Sequence, residues 1–265
     1  MLMLTHAWLL AHLLGPSCFD EKNQDLFIYN VCPDFLPVHP SFTSDTTHGI
    51  SRFRKLPDPY RKGAFVHFHL MVDDMSHHGF IHKIPIREFN PDSQGYTYIK
   101  GRPLVRPLMD LSPRQGTPID PSVAAYQSHM IIEMIFDLAL YLGKPDESNR
   151  LIVAMCDAMQ SIIRDHLDDF SGTVGWLYDA SPQDVASAVK QCASIYTPER
   201  MNGFMTMEGR IKLFGKKFGL DTSDHQSMSI LKEIMTDGMS LVADYEEFLD
   251  PTLAAIRKAG FDSLA

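Results

Sequence analysis

Apolar residues fall in blocks along this chain, and the spacing of the polar positions inside each block sets the expected elements. Leu2–Leu14 is too densely apolar for a surface helix and reads as a buried one, stopped by Gly15 and Pro16, with His6 and His12 as its polar insertions. Phe27–Pro40 carries three prolines and is not expected to be one continuous helix. Phe65–Phe80 and Pro121–Leu142 have helical length and pattern. Between them, Ile81–Pro121 is rich in Pro and Gly and is expected as an irregular surface excursion, with Gly95–Gly101 as a short strand. Further helices are expected over Arg150–Phe170, Pro182–Tyr196, Pro198–Phe218, Asp224–Phe248 and Pro251–Ala259, broken at Ser171-Gly172, Pro182, Pro198, Gly219 and Pro251. The fold class is all-α, one domain over residues 1–265, with scaffold and pocket wall in 141–265.

Two of the helical blocks carry polar residues in rows. In Phe65–Phe80, His69, Asp73 and His77 recur at i, i+4 and i+8, so an imidazole, a carboxylate and a second imidazole share one face. Groups one turn apart reach a common ion at bond lengths of about 2 Å, and this donor mixture suits zinc and similar divalent ions. His67, Asp74 and His78, on neighbouring faces, are candidates for a second ion or for supporting hydrogen bonds. In Pro121–Leu142, His129, Glu133 and Asp137 make a second row on an apolar helix, where an unpaired charge costs several kcal/mol. Asp34, among apolar neighbours near Pro33, calls for either a cation or an Asx-type turn. His48 is expected in a polar loop.

Composition narrows the reading. The chain has 265 residues, 45% of them hydrophobic and 22% charged, enough for a sizeable core. A formal charge of −9 with no long basic run argues against gripping nucleic acid as the main task, and no stable nucleic-acid complex is expected. Arg52, Arg54, Lys55, Arg61 and Lys62 form a basic concentration before the first histidine row, read either as a solvated loop or as attraction for an anionic substrate. Tyr96, Tyr98, Arg102 and Arg106 are further candidates to contact substrate. Cys18, Cys32, Cys156 and Cys192 show no paired spacing and read as reduced thiols, Cys32 in a structural role. The opening apolar run lacks a basic leader and a cleavage signal and is too short to span a bilayer, so the expectation is a cytoplasmic chain with no membrane span. Met201–Met207 reads as core packing.

In order, the candidates are His6, Asp34, His48, His69-x-x-x-Asp73, His77 and His129-x-x-x-Glu133. This order, over roughly the first 140 residues, resembles the superfamily of zinc-dependent phospholipase C and the fungal single-strand nucleases. The resemblance implies an all-helical bundle with a metal cluster in a cleft. One ion would be held by Asp34, His48, His69 and Asp73, and a second by His77, His129 and Glu133, with Asp73 also able to bridge toward His6. His77 stands four residues after Asp73, as in the glycosyl-phosphatidylinositol phospholipase D branch, and His78 is the fallback. Secreted relatives use the amino group of an N-terminal tryptophan well upstream of their first His, whereas five residues precede His6 here, so two ions are expected.

The implied activity is metal-dependent hydrolysis of a phosphoester, with Asp73 bridging and Asp34 or Asp74 orienting the water or accepting its proton. Zinc is the foremost candidate, with iron, manganese or nickel compatible, and the partner is a small phosphorylated substrate. A di-iron oxidoreductase and a non-catalytic metal-binding module are the alternatives.

Overall fold

The computed structural model describes residues 2–86, 90, 92–111 and 118–261. It contains fourteen α-helices joined by short 3-10 segments and one π turn, with no strand among the described residues. The all-α expectation holds, and no helix among the described residues is long and apolar enough to cross a membrane.

The first half builds the frame for the site. Helix α1 (Met3–Leu14) is buried from Leu4 to Ala11 and packs on α2 (Asp25–Phe35). Phe27–Pro40 is not one continuous helix, since α2 ends at Phe35 and a 3-10 turn follows, but Pro33 lies within α2. The Pro33 nitrogen has no hydrogen to offer the Tyr29 carbonyl four residues back, and the Cys32 thiol donates there instead, at 3.3 Å. Cys32 is therefore structural. Asp34 thus sits in the last turn of a helix rather than in an open loop.

Helix α3 (Ser44–His48) is a single short turn capped by the Thr43 side chain. The Thr47 hydroxyl donates to the Pro33 carbonyl at 2.9 Å and so fastens α3 to the end of α2. Helix α4 (Ala64–His78) packs along α2 and ends at Gly79, whose φ of +80° supplies the left-handed cap. The long helix α7 (Pro121–Gly143) starts at Asp120, which accepts from the amides of Ser122 and Val123. It lies between two apolar clusters: Phe136 and Leu140 join the one around α1, α2 and α8, while Ile131, Ile135 and Leu138 join the one shared with α13.

Residues 95–101 depart from expectation. They form helix α5 (Tyr96–Gly101), not a strand, because the helix buries Thr97, Tyr98 and Gly101 against α4 and α7. Helix α6 (Val105–Leu111) continues along α7 with Leu108 and Leu111 buried, so this part of the expected surface excursion belongs to the core. Residues 87–89, 91 and 112–117 of that excursion lie outside the described residues.

In the second half, α8 (Pro145–Ser161), a π turn (Ile162–His166) and α9 (Leu167–Tyr178) run on end to end. The break expected at Ser171-Gly172 is absent, since both residues sit within α9, and Pro251 is likewise inside α14 (Glu246–Lys258). Helices α10 (Pro182–Ala193), α11 (Pro198–Phe204), α12 (Met207–Phe218) and α13 (His225–Leu241) complete the chain. All four cysteines are buried and free.

Candidate metal centre

One cleft of about 550 Å³ collects most of the candidate residues: Asp34, His48, Asp73, His77, His129 and Glu133 all line it. His6 and His69 lie fully buried behind its floor. Their rings stack face to face, with centroids 3.6 Å apart.

Three sets of ligand atoms converge, each set within 4.8 Å of itself: His6 with His69 and Asp73, Asp34 with His48 and His69, and His77 with His129 and Glu133. Asp73 divides its two oxygens. Oδ1 lies 3.3 Å from His6 Nε2, while Oδ2 lies 3.4 Å from His48 Nε2 and 3.2 Å from His69 Nε2. Asp34 Oδ1 lies 3.6 Å from both His48 Nε2 and His69 Nε2. Ligands of a tetrahedral ion at bonds near 2.0–2.1 Å stand roughly 3.3 Å from one another, so these separations match an ion's shell. Among the described residues, His6 Nδ1, His69 Nδ1, His129 Nδ1 and Asp34 Oδ2 are buried without hydrogen-bond partners, while His6 Nε2 and His69 Nε2 face only the carboxylates. Buried polar atoms are ordinarily paired, and a divalent ion is the partner that this donor set fits. In the third set, His77 Nε2 and Glu133 Oε1 are in direct hydrogen-bond contact at 2.7 Å.

Each ligand is held by its element. His48 Nδ1 lies 3.0 Å from the Ser44 carbonyl, which fixes the Nδ1–H tautomer and leaves Nε2 free to face Asp34 and Asp73. Arg52 holds the loop after α3, donating to the carbonyls of His48 and Ile50 at 2.9 and 2.7 Å. His6 is placed from both ends of its helix turn. The Asn30 amide donates to its carbonyl at 2.9 Å, and Asp137 accepts the backbone N–H groups of Leu4 and Thr5 at 3.1 and 3.0 Å. The Tyr98 ring stacks on His129 at 4.6 Å, and Tyr126 meets it edge-on at 4.8 Å.

The electrostatics follow the grouping. Burial opposes charge on His69, yet the Asp73 and Asp34 carboxylates beside it lift its pKa to about 9. Burial pushes His6 down to about 4 and His129 to about 3, keeping both imidazoles neutral. Burial would raise the Asp34 carboxyl, but His69 and His48 hold it well below the carboxylate range.

Several expectations need correction. Asp137 continues the row of His129 and Glu133 but joins neither; it takes up the open backbone donors of α1 and lies 3.6 Å from Arg210. Asp74, expected as a group to orient water, gives both oxygens to Arg52 at 2.9 and 3.1 Å and accepts the His82 N–H at 2.9 Å. His67 belongs to no ligand set and is fully buried with both ring nitrogens unpaired. His78 lines the cleft without entering a set, so the geometry favours His77. The basic concentration does not open onto the cleft as a field of free charge. Arg52 is paired with Asp74, Arg54 covers the Trp176 ring at 4.0 Å, Arg61 pairs with Asp58, and Lys62 with Asp25. Tyr96 donates to Asp244 and packs on Phe136 and Phe248, Arg102 donates to the Ser93 carbonyl, and Arg106 pairs with Asp110; of these four only Tyr98 lines the cleft.

The far wall comes from the second half of the chain: Tyr196, Met201, Phe204, Met205, Arg210 and Lys217. Nothing in the spacing of α12 singles out Arg210 or Lys217, because a cation on an amphipathic helix usually faces water. No family model, no curated protein and no solved structure matches this chain.

Proposed function

We propose that this chain is a metal-dependent phosphoester hydrolase, related to the zinc-dependent phospholipase C and single-strand nuclease superfamily and carrying two divalent ions, zinc foremost. The observation that carries this reading is the division of Asp73. Its Oδ2 faces His48 and His69 while its Oδ1 faces His6, so one carboxylate can serve the ion held with Asp34 and still offer an oxygen toward a neighbouring cation. Asp34, His48, His69 and Asp73 would hold one ion, and His77, His129 and Glu133 the other, with His6 against the second oxygen of Asp73.

Divalent ions so placed act as Lewis acids on a phosphoryl oxygen and make a water acidic enough to attack near neutral pH. The chain's own residues prepare that chemistry. His6 and His129 are kept neutral and thus able to ligate, and Asp34 is kept ionised, able to ligate or to accept a proton. The half-enclosed cleft admits a small phosphorylated molecule, and its walls restrict water around it.

The test is metal content together with hydrolysis of bis(p-nitrophenyl) phosphate and p-nitrophenyl phosphate. The parent is expected to carry two ions per chain and to cleave at least one probe. Asp73→Asn and Glu133→Gln are each expected to lower the rate at least about a hundredfold. Full metal and full rate in both variants would reject the reading, and resident iron with no phosphoester turnover would favour oxygen chemistry in its place.

A further inference from the structure

Among the described residues, three Lys and Arg side chains line the cleft, and they are not equivalent. Arg52 is fully engaged by Asp74 and by two backbone carbonyls. Arg210 and Lys217 stand on α12 at i and i+7 with Leu213 between them, so one face of that helix looks across the cleft toward α7. Arg210 is almost completely buried, yet among the described residues its one acidic partner is Asp137 at 3.6 Å, whose oxygens already serve Leu4 and Thr5. Its Nη2 rests against Met205 Sδ at 2.9 Å and its Nε has no partner. A buried guanidinium at the cleft wall with a donor unmet carries a desolvation cost that an anion bound beside it would offset.

Lys217, about two turns further along α12, has no acidic partner among the described residues. Its Nζ lies 3.7 Å from Met130 Sδ, next in sequence to the ligand candidate His129. The row Arg210, Leu213, Lys217 therefore runs beside the His77, His129 and Glu133 set and offers positive charge, with apolar surface between, to whatever extends from a group bound there.

We propose that the face of α12 formed by Arg210 and Lys217 is an anion subsite, and that the substrate is a phosphoester carrying a second negatively charged group, a carboxylate or a further phosphate, on the moiety that lies against α12. This rests on the phosphoester reading for the reacting group, but the subsite is testable by binding alone. Lys217 is the residue to vary, since it is exposed and its replacement leaves the buried Arg210–Asp137 pair intact.

The experiment measures dissociation constants of the zinc-loaded full chain by calorimetry for non-hydrolysable probes that differ only in the second anion. Ethylphosphonate is compared with 3-phosphonopropionate for the carboxylate, and with ethane-1,2-diphosphonate for the second phosphate. The parent is expected to bind at least one doubly charged probe about tenfold more tightly than ethylphosphonate. In Lys217→Met that ratio is expected to fall to about one, in Lys217→Arg to return, and in Lys217→Glu to invert. The probe that shows the larger ratio identifies the second anion. Equal affinities in the parent, or a ratio that survives in Lys217→Met and Lys217→Glu, would overturn the proposal. A Lys217-dependent ratio in a chain that hydrolyses no phosphoester would keep the subsite and discard the hydrolase; hydrolysis without the ratio would do the reverse.

Discussion

Neighbouring side chains of the same type carry opposite duties here. Asp73 and Asp74 are adjacent in sequence and both buried, yet one divides its oxygens among three imidazoles and the other is clasped by Arg52. Asp73→Asn is therefore expected to lower the metal-to-chain ratio of the folded protein. Asp74→Asn is expected to keep that ratio but to lower unfolding free energy by about 3 kcal/mol, since it strands a buried guanidinium. Elemental analysis beside thermal melts of both variants separates the two roles. His67 makes a second contrast. It shares α4 with the ligands, but its ring is sealed away with both nitrogens unpaired, and burial, aided by Arg52 and Arg54, lowers its pKa to about 4. An unfolded imidazole takes a proton below its ordinary value of 6.5, whereas the folded one resists until about 4. Stability is thus lost as pH falls through that window, by about 3 kcal/mol from this residue. His67→Leu is expected to gain on the order of 1 kcal/mol at pH 7 and to flatten the acid side of the stability profile, read from denaturant midpoints between pH 7 and pH 4.

At the scale of elements, what was readable in the sequence and what was not divide along physical lines. The rows on α4 and α7 were legible because helical spacing alone brings His69, Asp73 and His77, or His129 and Glu133, to one face. Asp137 followed the same spacing and was misread, because the partner it meets is the start of a helix 132 residues away. Pattern also failed at α5, where alternating aromatic and polar residues suggested a strand. Burial of Thr97 and Tyr98 against α4 and α7 outweighed that local preference, and Thr97 donates to the Ser76 carbonyl at 3.0 Å. Gly95 is what permits the approach: a Cβ there would lie 2.0 Å from the His77 carbonyl carbon. Gly95→Ala is expected to cost on the order of 3 kcal/mol, and to disturb His77 and so weaken the second ion more than the first. Metal titration of the variant, resolved into two steps, checks this.

Over the whole molecule, the candidate ligands come from five helices, so ions held there would cross-link elements that are far apart in sequence. Zinc added to metal-free protein is expected to raise the melting temperature, each site contributing about 2.7 kcal/mol at a free concentration a hundredfold above its dissociation constant. Because His69 holds a proton up to about pH 9 in the absence of metal, binding at pH 7 is expected to release close to one proton. Calorimetry in buffers of different ionisation enthalpy measures it. The order of ligands along the chain was legible, but the wall opposite them was not, since Arg210 and Lys217 acquire meaning only from what α12 faces. The clasp of Asp137 on Leu4 and Thr5 also sets a timetable. During synthesis, α1 leaves the ribosome ahead of α7 but cannot be seated until Asp137 follows, which at about 5–20 residues per second leaves it waiting roughly 7–26 s. Through that interval an apolar helix made to be buried has no partner for its first turn, so a nascent chain halted before Asp137 should be a favoured client of chaperones, and one halted after α7 should not.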